Sequence, residues 1–116
     1  MDTCRQQFVL SPVAGDDRRR DLPDRQHADG GLVCTLADSV AGCAVQTTLA
    51  PRAGYTSIDI AVNYLRPVTL ASGTLVATGR VIKPGRRVAL ASAEITDTAG
   101  RLVATATSNC LILPPA

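Results

Sequence analysis

Residues 32–47 read LVCTLADSVAGCAVQT, a run with no proline, many good helix formers and apolar side chains at nearly every helical angle. No other feature constrains the fold as much. A helix that is apolar all round is stable in water only where other parts of the protein cover it on every side. Gly30 and Gly31 open the run, and Asp38 and Ser39 interrupt it in the middle rather than at an end. A carboxylate at such a place is expensive to bury unless it is paired.

The cover comes from the residues after Pro51, all of which read as strands. Residues 56–65 alternate, predicting Ile58, Ile60, Val62 and Tyr64 on one face and Ser57, Asp59, Ala61 and Asn63 on the other. Residues 74–83 form a second run, stopped by the turn signal Pro84-Gly85. Residues 87–96 and 102–113 come next, joined around Ala99-Gly100. Connections this short predict antiparallel neighbours, because parallel strands need a long crossover. The expected architecture is α+β, one buried helix and a four-stranded meander curling around it. Residues 1–116 are expected to form a single domain, a common size for one.

Composition narrows the chemistry. Hydrophobic residues make up 46% of the chain, yet it holds one Phe, two Tyr and no Trp, so the core must be aliphatic and alanine-rich. Stacking of nucleic-acid bases on an aromatic platform is then hard to arrange. Twelve basic against ten acidic residues leave a net charge of +2, without the clustered basic face of a nucleic-acid binder. Residues 16–21 (DDRRRD) interleave both signs and read as a solvated loop. No apolar run approaches the roughly 20 residues of a membrane span. The N-terminus lacks the basic-then-apolar order of a secretory signal, so a cytoplasmic protein is expected. The four cysteines, at 4, 34, 43 and 110, have no CxxC spacing, so no zinc site is expected. Inert core thiols are the expected role, with a disulfide or a catalytic thiol as alternatives.

Asp38 carries the most chemistry. Burial in an apolar helix would raise a carboxyl pKa toward the working pH, where a general base or nucleophile is useful. A carboxylate at a subunit seam, or one tied to an arginine such as Arg66, is the structural alternative. Backbone N–H groups of Gly30 and Gly31, at a helix N-terminus, can point at a developing oxyanion with no side chain in the way. Eight residues separate Gly30 from Asp38, about 12 Å along one helix. One chain's glycines therefore cannot serve the same reacting carbon as its own Asp38. Lys83, Arg86 and Arg87 surround the Pro-Gly turn and suit phosphate groups, or are simply solvated. His27 lies in a loop without an evident partner and reads as a bystander. Asn109 and Cys110 read as structural.

Three segments, GGLVCTLADS (30–39), VNYLRP (62–67) and GRVIKPGRR (79–87), in this order and spacing, resemble the hot-dog thioesterases. The likeness is to the PaaI-like, phenylacetate-pathway branch of the 4-hydroxybenzoyl-CoA thioesterase superfamily, over about residues 30–113. It implies a hot-dog fold, a helix wrapped by an antiparallel sheet, with dimers, commonly tetramers, and active sites at the dimer interface. It implies hydrolysis of an acyl-CoA thioester, medium-chain or aryl-acyl, with CoA as part of the substrate and no separate cofactor or metal. Asp38 aligns with the family's catalytic acid residue, and Ser57 with a Ser or Thr that orients the water or the carboxylate. Lys83, Arg86 and Arg87 are then the CoA-binding residues.

The departure lies upstream. The family carries an Asn a few residues before His-Gly-Gly, whereas here Asp29 precedes the glycines, Pro23 falls near the Asn position and His27 is displaced by two residues. The family's first strand and the helix before it are not visible in residues 1–28, which are expected to be diverged, truncated or derived from a shifted reading frame. Two other functions stay open: an acyl-CoA-binding protein without turnover, and a hydratase or dehydratase, which would need His27 beside Asp38.

Overall fold

The computed structural model describes residues 3–9, 30–68 and 73–115. The elements are β1 (Thr3–Val9), α1 (Gly30–Thr47), β2 (Gly54–Tyr64), β3 (Thr74–Lys83), β4 (Val88–Thr96) and β5 (Leu102–Leu113). All strand pairings are antiparallel, in one sheet of order β1-β3-β4-β5-β2. The helix lies on one face of this sheet, as the α+β reading requires.

Two expectations about the sheet are overturned. Residues 1–28 do contain a first strand, since β1 pairs with β3 from Thr3↔Arg80 to Val9↔Thr74. Its alternation escaped notice because the half-buried positions hold Cys4 and Gln6 rather than large apolar side chains, between exposed Thr3, Arg5 and Gln7. Nor do the last four strands form a simple meander. Only β3, β4 and β5 are consecutive, and β2 pairs with β5 at the edge opposite β1. The nine residues 65–73 lead from β2 to β3. At about 3.3 Å each they easily outreach the roughly 14 Å of three strand spacings.

The core is built from small side chains. Ala77, Ala93, Ala104 and Ala106 of the sheet pack with Val33, Leu36, Ala37 and Val40 around Leu75, Ile95 and Val103. A second cluster sets Ala41, Ala44 and Val45 against Val81, Ala89, Ala91 and Cys110. Alanines on the sheet let the helix backbone come close, and Gly79 marks the nearest approach. A Cβ there would stand 2.1 Å from the Val40 carbonyl oxygen.

The helix is not covered all round. Gly31, Thr35, Asp38, Ser39 and Gln46 form an exposed stripe along it. The expected burial of Asp38 is therefore not met within a single chain. Two edge strands flank the stripe. Toward β1, Ser39 Oγ donates to Gln6 Oε1 at 3.0 Å, and one turn on Cys43 forms a disulfide with Cys4. The inert-thiol reading fails for this pair, whose Cα atoms lie 5.8 Å apart, and spacing along the chain gave no sign of it. It holds for Cys110, which is free and fully buried; Cys34 is also free. Among the described residues, no helix is long and apolar enough to cross a membrane.

Candidate active site

Asp38 sits mid-helix on the open stripe, and β2 reaches it from the side opposite β1. Ser57 Oγ donates to Asp38 Oδ1 at 3.0 Å. This contact depends on a change of phase within β2. Ser57 pairs with Cys110 and Asp59 with Asn109, so Ile58 is an extra residue, a β-bulge. Before the bulge, Tyr55 and Ser57 share the face toward α1. After it, Ile60 and Val62 pack on the core. The regular alternation expected from sequence had put Ser57 opposite Ile60 and grouped Ile58 with the core side chains. Instead, Ile58 is 55% exposed.

The bulge is pinned from β5. Asn109 N and Nδ2 donate to Asp59 Oδ1 at 3.1 Å, and Nδ2 also reaches Oδ2 at 3.2 Å. Ser108 Oγ donates to the Asp59 carbonyl at 2.9 Å. The structural reading of Asn109 is thereby given a concrete basis: it locks the irregularity that turns Ser57 toward Asp38. The entry to β2 is fixed too. Ala53 N–H donates to the Ala50 carbonyl across Pro51 and Arg52, and Gln46 Nε2 donates to the Ala53 carbonyl.

Tyr55 is the residue of this neighbourhood that sequence reasoning missed. Its ring joins the second core cluster and its hydroxyl lies over Gly42, one helical turn beyond Asp38. Burial first, then the negative charge of Asp38 and the nearby Cys110, push the phenol pKa above its ordinary value. The clue available in the sequence was scarcity, as Tyr55 is one of only two tyrosines.

The other expected residues lie apart from Asp38 within one chain. Gly30 and Gly31 begin α1, whose first turn has no acidic side chain to compete for its N–H groups. The Gly31 carbonyl accepts from Thr35 Oγ at 2.8 Å. The turn bearing Lys83, Arg86 and Arg87 is exposed and joins β3 to β4. Lys83 lies four residues past Gly79, about 13 Å along β3 from the point below Val40. The glycine pair and Asp38 thus mark the start and the middle of one helix, with the basic turn at the end of β3. His27, Asp29 and Pro23 lie outside the described residues. Among those described, no three His, Cys, Asp or Glu side chains gather as a metal site.

A carboxylate held by one hydroxyl and open on its other side can take a proton from water or attack an electrophilic carbon. N–H groups at a helix start can stabilise an oxyanion where they point at it. Comparison with known proteins identifies the family. The model of the Thioesterase superfamily matches residues 26–104. Acyl-coenzyme A thioesterase 13 of Mus musculus is 34% identical over 76 residues, 65% of this chain and 53% of that protein. The chain thus spans about half the length of the curated relatives it matches. Among solved structures, AziG of S. sahachiroi superposes with a TM-score of 0.83 at 25% identity, covering 97% of this chain and 84% of AziG. A phenylacetic acid degradation-related protein of Ralstonia eutropha JMP134 gives 0.75 at 26% identity, covering 95% and 76%.

Proposed function

This chain belongs to the Thioesterase superfamily, and from that premise we propose that it hydrolyses an acyl-CoA thioester to the free acid and CoA. The observation that carries the reading is the Ser57–Asp38 hydrogen bond on the open stripe of α1. It holds the one carboxylate of the helix in a fixed pose with an oxygen still available. Asp38 either takes a proton from the attacking water or attacks the thioester carbonyl itself; in both routes the C–S bond breaks and the thiolate leaves as CoA, and in the second a water then cleaves the acyl-Asp38 anhydride to release the acid and restore the carboxylate. The N–H groups of Gly30 and Gly31 receive the carbonyl oxygen as it gains charge.

The 12 Å helical separation makes this a two-chain site, with the helix start of one subunit facing Asp38 of its partner. The exposed stripe of α1 and the exposed edge β2 support a homodimer at least, and pairing of dimers into a tetramer is part of the proposal. Sedimentation at micromolar concentration tests it, and a monomer would remove the composite site. Lys83, Arg86 and Arg87 are assigned to the CoA phosphates, and no other cofactor is invoked.

The PaaI-like assignment and an acyl group of medium or aryl type rest on the resemblance in residues 30–113, with the Ralstonia eutropha relative in support. The proposed compartment is the cytoplasm, where thiols are kept reduced. Cys4 and Cys43 would then be thiols in the cell and close after aerobic purification. Thiol release from short, medium, long and aryl acyl-CoAs tests the function. Turnover highest on medium or aryl substrates is expected. Saturable binding with no release above the uncatalysed rate would instead make this an acyl-CoA-binding protein.

A further inference from the structure

On the reading of Asp38 as the reacting carboxylate, we propose that Asp59 is a positioning residue for it. Its clamp with Asn109 selects the phase of β2 that presents Ser57, rather than Ile58, to Asp38. The argument starts from the two phases open to the strand. Ile60 and Val62 pack on the core and fix β2 beyond Asp59. Unbroken alternation back from Ile60 would turn Ile58 and Thr56 toward α1 and Ser57 and Tyr55 away, since a slip of one residue moves each side chain to the other face. That phase competes because it would cover Ile58, which stands exposed in the observed one, and burial of such a side chain is favourable. It would also set a branched alkyl group beside Asp38 in place of the hydroxyl that donates to Oδ1.

The strand holds the other phase. Ser57 pairs with Cys110 and Asp59 with Asn109, and Ile58 is left as the extra residue. At this interruption side chains supply partners for main-chain groups. Asn109 N donates to Asp59 Oδ1 at 3.1 Å, and the Asp59 carbonyl accepts from Ser108 Oγ at 2.9 Å. Asn109 Nδ2 adds bonds to both carboxylate oxygens, at 3.1 and 3.2 Å. Satisfying the main chain in this way is what lets an irregular ladder persist.

The clamp acts at a distance from the chemistry. Asn109 stands between buried Ser108 and Cys110, so its side chain lies on the face of the sheet away from α1. Asp59 therefore reaches Asp38 only through the strand and Ser57. Its effect is one of orientation, and a misplacement of about 1 Å at a reacting group can cost about a hundredfold in rate.

Proton nuclear magnetic resonance tests the phase without using turnover. Wild type should show Overhauser contacts between the side chains of Ser57 and Asp38. In Asp59→Ala these should vanish, and contacts from the Ile58 methyl groups to α1 should replace them. Persistence of the Ser57 contact overturns the proposal. Asp59 is exposed, so the variant should fold, and its kcat should fall at least about tenfold with KM within about twofold of wild type. Asn109→Ala, which keeps the main-chain bond, should lose less in the same direction. Deleting Ile58 from the Asp59→Ala chain removes the extra residue, and regular alternation from Ile60 then returns Ser57 to the α1 face. Most of the lost kcat should come back. A loss that the deletion does not restore, or a rise in KM at constant kcat, would give Asp59 another role and overturn the proposal. Asp38→Ala in the same assay separates the two readings: if it is inactive while Asp59→Ala keeps wild-type kcat, the clamp's role fails alone, and if it is fully active, the catalytic reading of Asp38 fails.

Discussion

Replacing Gly79 by Ala should separate α1 from the sheet, and the size of the effect can be worked from the packing. The new Cβ would stand 2.1 Å from the Val40 oxygen, 2.4 Å from its carbonyl carbon and 2.9 Å from Ala41 N. All three are helix backbone, so no rotamer change relieves the clash, and α1 must retreat by about 1 Å to restore ordinary contact. A gap of that size forfeits a quarter to a half of the attraction between facing atoms. The contacts at risk are those of Val40 and Ala41 with the sheet alanines. We expect a loss of about 3 kcal/mol, the upper end of the range for overpacking, and a fall in Tm of roughly 10–15 °C for a chain of this length. Circular dichroism melts with Gly54→Ala alongside provide the assay. A Cβ at Gly54 meets nothing within 4 Å. That variant should match wild type or gain about 0.5 kcal/mol through a less flexible unfolded chain. If Gly79→Ala melts within about 2 °C of wild type, the close approach of helix and sheet does not hold the fold together as argued.

The disulfide joins residues 39 apart, and closing a loop of that length is worth about 4 kcal/mol. Oxidised wild type should therefore melt well above Cys43→Ser, and reductant should lower wild type alone; equal melts with and without reductant would contradict the staple. Arg86→Ala combined with Arg87→Ala should raise KM for acyl-CoA, more weakly at high salt, and leave kcat nearly intact. Equal loss on a short thioester lacking the nucleotide would assign the arginines to the fold instead. The buried Asp97 carboxylate accepts from Arg101 N at 2.9 Å and Arg101 Nε at 3.1 Å. Chiefly through that backbone N–H, its pKa lies below the usual aspartate range. A lowered folded pKa gives stability that is present above the ordinary value and lost as pH falls through the lowered one. The gap in urea midpoint between wild type and Asp97→Asn should thus be widest near neutrality and close in acid.

Sequence reasoning went furthest where one physical signal dominated. The all-apolar run gave α1 to within two residues of its start. Turn signals at Pro84-Gly85 and Ala99-Gly100 bounded β3 and β5 as found, and β4 to within one residue. The order of strands in the sheet was not legible, because pairing β2 with β5 leaves no local mark on either. Strand β1 was hidden by Cys4 and Gln6 at its half-buried positions, whose partners on α1, Cys43 and Ser39, are apparent only after folding. At the site, Asp38 stood out as a lone carboxylate in an apolar helix, whereas Ser57 was singled out only through the family resemblance. A strict period of two misplaced it, since the bulge at Ile58 depends on Asn109 and Ser108, some fifty residues away. Tyr55 was overlooked for a related reason: the strand was read as starting at Thr56 rather than Gly54, and the space above Gly42 is a property of the packed pair.

The central claim is that Asp38 performs the chemistry. Steady-state thiol release by wild type and Asp38→Ala, on the best acyl-CoA and with melting curves recorded on the same samples, tests it most directly. Asp38 is exposed, and its bond to Ser57 lies at the surface, so the variant should keep a near-native melt. Its kcat should fall at least about a hundredfold, the usual scale for a positioned acid or base. A variant that folds normally and turns over at the wild-type rate would contradict the account.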